Sequence, residues 1–415
     1  MRNRAASEEV PGPGRVASAI AVAEADSPIP HSATHCGGCP GIPHVPRVAL
    51  VHDYLNQWGG AERVLEELRA IWPEAPIFTS IYDRERMPAA YRAWPIRTSF
   101  MQHLPGVLRH HQPYLPLYPL AFARLDLRGY DLIVSSSSAF AKNVAPAPGT
   151  LHICYCHSPM RFAWNAGDYA RRERFGTVAR TLLQPPLGLL RRWDRRGTRR
   201  VDRLIANSAT VAARIARYYG REAVVIHPPV QTAVPPATGE PEDFYLVVTR
   251  LVPYKRLDIV VEAFNRLGLP LRIVGQGRDR AALERAAGPN IRFLGFVSDA
   301  EKNDLYARCR ATIFPAEDDF GIAQVEAQAV GRPVIAYRAG GAIETVRDGV
   351  TGVFFDEQTP ESLMAAVARL TAGRFDPATI RTHAQTFDAT VFRRAIAGYV
   401  DECWREHCEG VVGRR

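Results

Sequence analysis

From Arg47 onward the chain alternates short, continuous apolar runs with longer segments whose apolar residues recur every three or four positions. The first run, RVALVHDY (47–54), ends in a polar, glycine-bearing turn with Asn56, Trp58, Gly59 and Gly60. AERVLEELRAIW follows, with Val64, Leu65, Leu68, Ile71 and Trp72 at helical spacing. This reads as a strand, a glycine loop and a helix. Further short runs come at PIFTSIY (76–82), DLIVSSS (131–137), LHICYCH (151–157), RLIANS (203–208) and AVVIHP (223–228). Strands that are apolar throughout, with helices between them, predict a parallel sheet covered on both faces.

The Pro-rich stretch PPVQTAVPPATGEPE (228–242) predicts a hinge, after which the alternation restarts: FYLVVTR (244–250), LRIVGQG (271–277), IRFLG (291–295), ATIFP (311–315), RPVIAY (332–337) and GVFF (352–355). The expected fold is α/β, two Rossmann-like doubly wound parallel sheets facing across a cleft at the carboxyl ends of their strands. The boundaries are a flexible tail over 1–45, a first domain over 46–235, a second over 236–390, and a C-terminal segment over 391–415. In that last segment a helix of about 390–406 carries Phe392, Ile396, Tyr399 and Cys403 on one stripe, suited to packing across the junction.

Composition adds limits. With 415 residues, 47% hydrophobic and 23% charged, the chain has an ordinary globular make-up, against disorder, a collagen-like fibre or a disulfide scaffold. The net charge of +9 is unevenly spread: residues 171–203 hold eleven arginines against Glu173, Asp194 and Asp202, which is +8, and the remainder is nearly neutral. That argues against a nucleic-acid-binding coat and for one cationic patch. No run reaches the ~18 uncharged apolar residues of a membrane span, and no secretory apolar core is present, so the expected location is the cytoplasm. Seven scattered cysteines fit reduced thiols. Cys36 and Cys39 form a C-x-x-C beside His31 and His35, but no second pair follows at zinc-ribbon spacing, and no metal site is expected.

Three segments carry candidate chemistry. In Thr249-Arg250-Leu251-Val252-Pro253-Tyr254-Lys255-Arg256, Arg250 and Lys255 fall where a strand gives way to a helix, and two cations beside free backbone N–H groups make a diphosphate site. A solvated surface pair has the same pattern. Val274-Gly275-Gln276-Gly277 resembles a dinucleotide fingerprint, but Arg280 stands where the third glycine belongs, so NAD is a weak reading; Gly275 and Gly277 still permit close backbone approach to a nucleotide. In FPAEDDFGIAQVEA (314–327), Glu317, Asp318 and Asp319 occupy a loop and Glu326 a following helix. Carboxylates so placed suit vicinal hydroxyls of a sugar and a ribose, or simply complement the helix dipole.

In combination, TRLVPYKRLD, the VGQG turn, EDDFGIAQVEAQAVGRPVIA and GGAIETVRDGVTG resemble the nucleotide-sugar-dependent glycosyltransferases of family 4, which have the GT-B fold. HDYLNQWGGAERVL, SSSSAFAKNV and YCHSPMRFAWN resemble a bacterial subset that includes mannosyltransferases of surface polysaccharide assembly; the likeness covers roughly residues 46–400. It implies retaining transfer of a hexose, with GDP-mannose favoured over a UDP-hexose, to a lipid-linked oligosaccharide, with no obligatory cofactor. By the same resemblance Arg250 and Lys255 hold the donor diphosphate and Glu326 binds the ribose. Asp318 stands where the family usually has Glu and contacts the hexose, unless Glu317 does, helped by backbone N–H groups near Phe320 and Gly321. Gly59 and Gly60 match the phosphate and acceptor loop, and His157 the histidine that approaches the donor sugar.

Retention without a positioned nucleophile implies attack by the acceptor hydroxyl on the face the phosphate leaves, the phosphate taking the proton. Lys142, past the serine run, is a candidate for a donor or acceptor phosphate or else a loop lysine. The 171–203 segment, where Leu182 to Leu190 precede Arg191, Arg192 and Trp193, suits docking on an anionic inner membrane face, or is a solvated helix face. The alternatives are a sugar-nucleotide epimerase of similar architecture, or a glycosyltransferase whose donor site has decayed into a binding partner.

Overall fold

The structure is a computed structural model that describes residues 45–164, 177–237 and 239–412. Cys36, Cys39, His31 and His35, with residues 171–176 of the arginine-rich segment, lie outside the described residues. The five described cysteines are free thiols. No described helix is long and apolar enough to cross a membrane.

The first sheet comprises β1 (Val48–His52), β2 (Ile77–Thr79), β3 (Ile96–Thr98), β4 (Leu132–Ser137), β5 (Leu151–Cys156), β6 (Arg203–Ala206) and β7 (Val224–Val225), in the order β3-β2-β1-β4-β5-β6-β7. The second comprises β8 (Tyr245–Val248), β9 (Leu271–Val274), β10 (Ile291–Gly295), β11 (Ala311–Phe314), β12 (Val334–Tyr337) and β13 (Gly352–Phe355), in the order β10-β9-β8-β11-β12-β13. Every strand pairing within them is parallel. Both sheets reverse direction of growth beside their first strand, between β1 and β4 and between β8 and β11, and that reversal is where such sheets bind ligands.

β3 has no counterpart among the apolar runs of the sequence. Its three residues sit at the sheet edge with Arg97 exposed, and so short and half-buried a strand leaves no period to read. The C-terminal helix runs over Ala389–Val412, longer than its apolar stripe predicts. Phe392, Ile396, Val400, Cys403 and Trp404 bury in one core with Leu50, Val64, Leu65 and Leu68 of the first sheet and its Gly60–Ile71 helix. The chain therefore crosses the junction twice, and the crossings lie side by side: Val230 N–H donates to Phe387 O at 3.0 Å and Ala389 N–H to Val230 O at 3.1 Å.

Candidate active site

The turn after β11 meets the segment after β5, where Arg161 pairs with Asp319, and the turn after β8 brings Arg250 near Tyr54, after β1. Lys255 closes a single turn of tight helix, Pro253–Lys255, and Arg256 then takes a left-handed φ of 53° before the Leu257–Leu267 helix begins. Lys255 is thus on a separate turn ahead of the helix rather than in it. Its Nζ lies 2.6 Å from Asp318 Oδ1. Arg250 donates to Tyr254 Oη at 2.6 Å and leaves the rest of its guanidinium exposed.

The three acids of the 317–319 loop each have a different partner. Glu317 accepts from Arg214 at 2.7 Å, Asp318 from Lys255, and Asp319 from both Arg161 and Arg214. Arg161 and Arg214 come from the first half, so that half ties down the loop's two outer carboxylates and leaves the middle one to the diphosphate candidate. Behind the loop, Gly341 N–H donates to Asp318 O at 2.9 Å. Phe320 turns its ring inward against His227 and Phe387, and Gly321 opens the Ile322–Ala329 helix.

Glu326, on that helix, accepts from Arg63 at 2.6 Å, Lys302 at 3.2 Å and Tyr306 at 3.4 Å. Arg63 lies on the Gly60–Ile71 helix of the first half. The glycine loop ahead of it touches the same partner: a side chain on Gly60 would come within 2.8 Å of Ile322 Cδ1. Gly59 is the extended N-cap of the Gly60–Ile71 helix.

His157 follows β5, with Nε2 2.8 Å from Ser136 Oγ. Burial pushes its pKa down to about 3, so the ring is neutral near pH 7. Asp53, after β1, accepts four backbone N–H bonds, from Ser138, Ala139, Phe140 and Ala141, at 2.6 to 2.9 Å. That carboxylate fixes the turn after β4.

One expectation changes, and two of the glycines show a packing role. Lys142 is fully buried, its Nζ 2.6 Å from Asp194 Oδ1 and 2.6 Å from Ala139 O, so it is closed to any phosphate. Gly275 and Gly277 face their own chain: a Cβ on Gly277 would sit 2.1 Å from Leu251 O, and one on Gly275 1.8 Å from Thr249 O. Their small size lets the β9 turn pack under the Arg250 segment.

Arg63, Arg161, Arg214, Lys302 and Asp53 carry no signal of chemistry in the sequence read alone, because each acts through a partner at least 24 positions away. His52, Asp53 and Arg63 do fall within HDYLNQWGGAERVL.

The family model described as Glycosyltransferase Family 4 matches residues 58–234, and the one described as Glycosyl transferases group 1 matches 233–386. The chain belongs to the family 4 glycosyltransferases, with the GT-B fold. Among family relatives, a D-inositol 3-phosphate glycosyltransferase of Geodermatophilus obscurus is 32% identical over 45% of this chain and 49% of its own. The O-antigen chain mannosyltransferase C of Escherichia coli is 29% identical over 36% of this chain and 43% of its own. The chain thus spans about half the length of the curated relatives it matches. Anabaena Alr3699/HepE, solved with UDP and glucose, shares the GT-B fold at a TM-score of 0.63 and 19% identity, over 86% of this chain and all of that one. No group of three or more His, Cys, Asp or Glu side chains among the described residues is arranged to hold a metal ion.

Proposed function

We propose that this chain is a retaining hexosyltransferase that takes a nucleotide diphosphate sugar, GDP-mannose before a UDP-hexose, and glycosylates a hydroxyl of a lipid-linked oligosaccharide in surface-polysaccharide synthesis. One observation carries the reading: a lysine in the turn at the carboxyl edge of the second sheet lies 2.6 Å from Asp318, on the side where Glu326 meets Arg63 of the first half. A donor diphosphate placed by Arg250 and Lys255 loses its sugar as negative charge grows on the leaving phosphate, and fixed cations stabilise that charge. Asp318, with Glu317 drawn off to Arg214, is the carboxylate that meets the hexose. The departing phosphate takes the proton of the attacking hydroxyl, so this reading needs no obligatory cofactor.

The Thr177–Thr198 helix is the proposed inner-membrane contact. Arg191, Arg192, Arg195, Arg196 and Arg199 line a cavity of about 520 Å³ with Trp164. Its inner side is buried: Asp194 takes Lys142, Trp164 and Tyr219, and Trp193 packs on Phe140 at 5.9 Å. The patch is therefore arginine with exposed Leu189, without the Trp193 ring. The likeness to an O-antigen mannosyltransferase supports the mannose assignment.

The test is transfer and donor hydrolysis with GDP-mannose and a panel of UDP-sugars, reading the product's anomeric configuration by NMR. Inversion, or no turnover together with no nucleotide binding, overturns the reading. Interconversion of the donor sugar would instead favour the epimerase.

A further inference from the structure

A chain of four buried or half-buried side chains runs from the Gly60–Ile71 helix to the cleft. Glu62 Oε1 is 3.4 Å from His52 Nε2, His52 Nδ1 is 3.2 Å from Ser136 Oγ, and Ser136 Oγ is 2.8 Å from His157 Nε2. The elements hold it in register, since His52 and Ser136 are directly paired on β1 and β4, and His157 N–H donates to Ser137 O at 2.9 Å.

Direction along the chain follows from its end group. A carboxylate only accepts, so His52 donates from Nε2, and with a single ring proton it accepts at Nδ1. Ser136 then spends its single O–H on His52 and accepts from His157 Nε2–H. That leaves His157 Nδ1 a bare lone pair, with no hydrogen-bond partner among the described residues. We propose that Glu62, His52 and Ser136 are positioning residues that lock His157 in the Nε2–H tautomer, so that its Nδ1 accepts a hydrogen bond from a hydroxyl of the donor hexose. The burial that keeps the ring neutral preserves this acceptor. The inference rests on the glycosyltransferase reading for the identity of the hydroxyl, and the relay itself is independent of it.

The test is ¹⁵N NMR of the histidine-labelled full chain, with His157 assigned by His157→Gln. The native protein is expected to show a protonated Nε2 and an unprotonated Nδ1 at His157. Ser136→Ala is expected to lose that pattern and to lower kcat roughly tenfold, the scale of one hydrogen bond, with the donor KM within about twofold. Ser136→Thr, which keeps the hydroxyl on a strand that tolerates β-branching, restores both. A protonated Nδ1 in the native protein overturns the relay, and needs no variant to fold. A tautomer lost in Ser136→Ala with kcat unchanged overturns its catalytic part. Native enzyme that transfers no sugar yet shows the Nε2–H pattern overturns the functional reading and leaves the relay standing.

Discussion

Asp318 Oδ1 lies 2.6 Å from Lys255 Nζ, joining the turn after β11 to the turn after β8 at the point where the second sheet reverses. Both side chains retain some exposure, 20% and 15%, so the pair is reachable by a ligand and contributes little to the fold. Lys255→Ala is therefore expected to lower the transfer rate by about 10²–10³, the usual loss for one preorganised donor at a developing oxyanion, and to change unfolding free energy by no more than ~1 kcal/mol. Steady-state transfer rates beside a urea melt check this. A large loss of stability with the rate preserved contradicts it.

Glu317 and Asp318 are neighbours with different partners, and their isosteric variants should separate. Asp318→Asn is expected to cost about 10-fold or more in transfer, the scale of a hydrogen bond to a charged group, whereas Glu317→Gln stays within about threefold. Side-by-side kcat/KM for one donor decides which carboxylate serves the sugar.

Lys142 and Asp194 are both fully buried, and Asp194 also holds Trp164 and Tyr219. Lys142→Met leaves an uncompensated carboxylate in the interior. The expected destabilisation is ~3–5 kcal/mol, read from the shift of a urea transition at constant slope. A stable Lys142→Met protein with weakened phosphate binding would return Lys142 to the site.

Burial lowers the pKa of His111 and His383, takes His152 to about 4 and His157 to about 3. In the unfolded chain these rings protonate near the ordinary histidine value of ~6.5. Between those values the unfolded state binds more protons, so stability is whole above pH 6.5 and falls progressively as the pH drops towards 4 and then 3. Denaturant midpoints measured from pH 7.5 to 4.5 should decline in that direction, and a flat profile would refute it.

The Thr177–Thr198 helix and the turn that follows it offer exposed Arg192, Arg196 and Arg199. Replacing all three by Ala is expected to weaken binding to anionic vesicles by roughly 100-fold, from about 1 kcal/mol per basic residue at the surface, with donor hydrolysis unchanged. Binding should also fall with salt. Undiminished vesicle binding by the triple variant removes this helix from the docking face.

Much of the architecture is legible along the chain because it is written in local periods. Strands covered on both faces must be apolar throughout, and the helices between them must show a stripe, so both sheets follow from runs such as RVALVHDY and FYLVVTR. The meeting of the Lys255 turn with the Asp318 turn is legible too, since turns at the carboxyl ends of strands converge in such a fold. The tertiary structure decided the pairings. Which carboxylate meets Lys255, which arginine takes Glu326, why Lys142 is interior and why Gly277 serves its own backbone all depend on contacts between distant segments. A charged side chain is fixed by the partner it finds after folding, and that partner leaves no mark on the residues beside it in sequence.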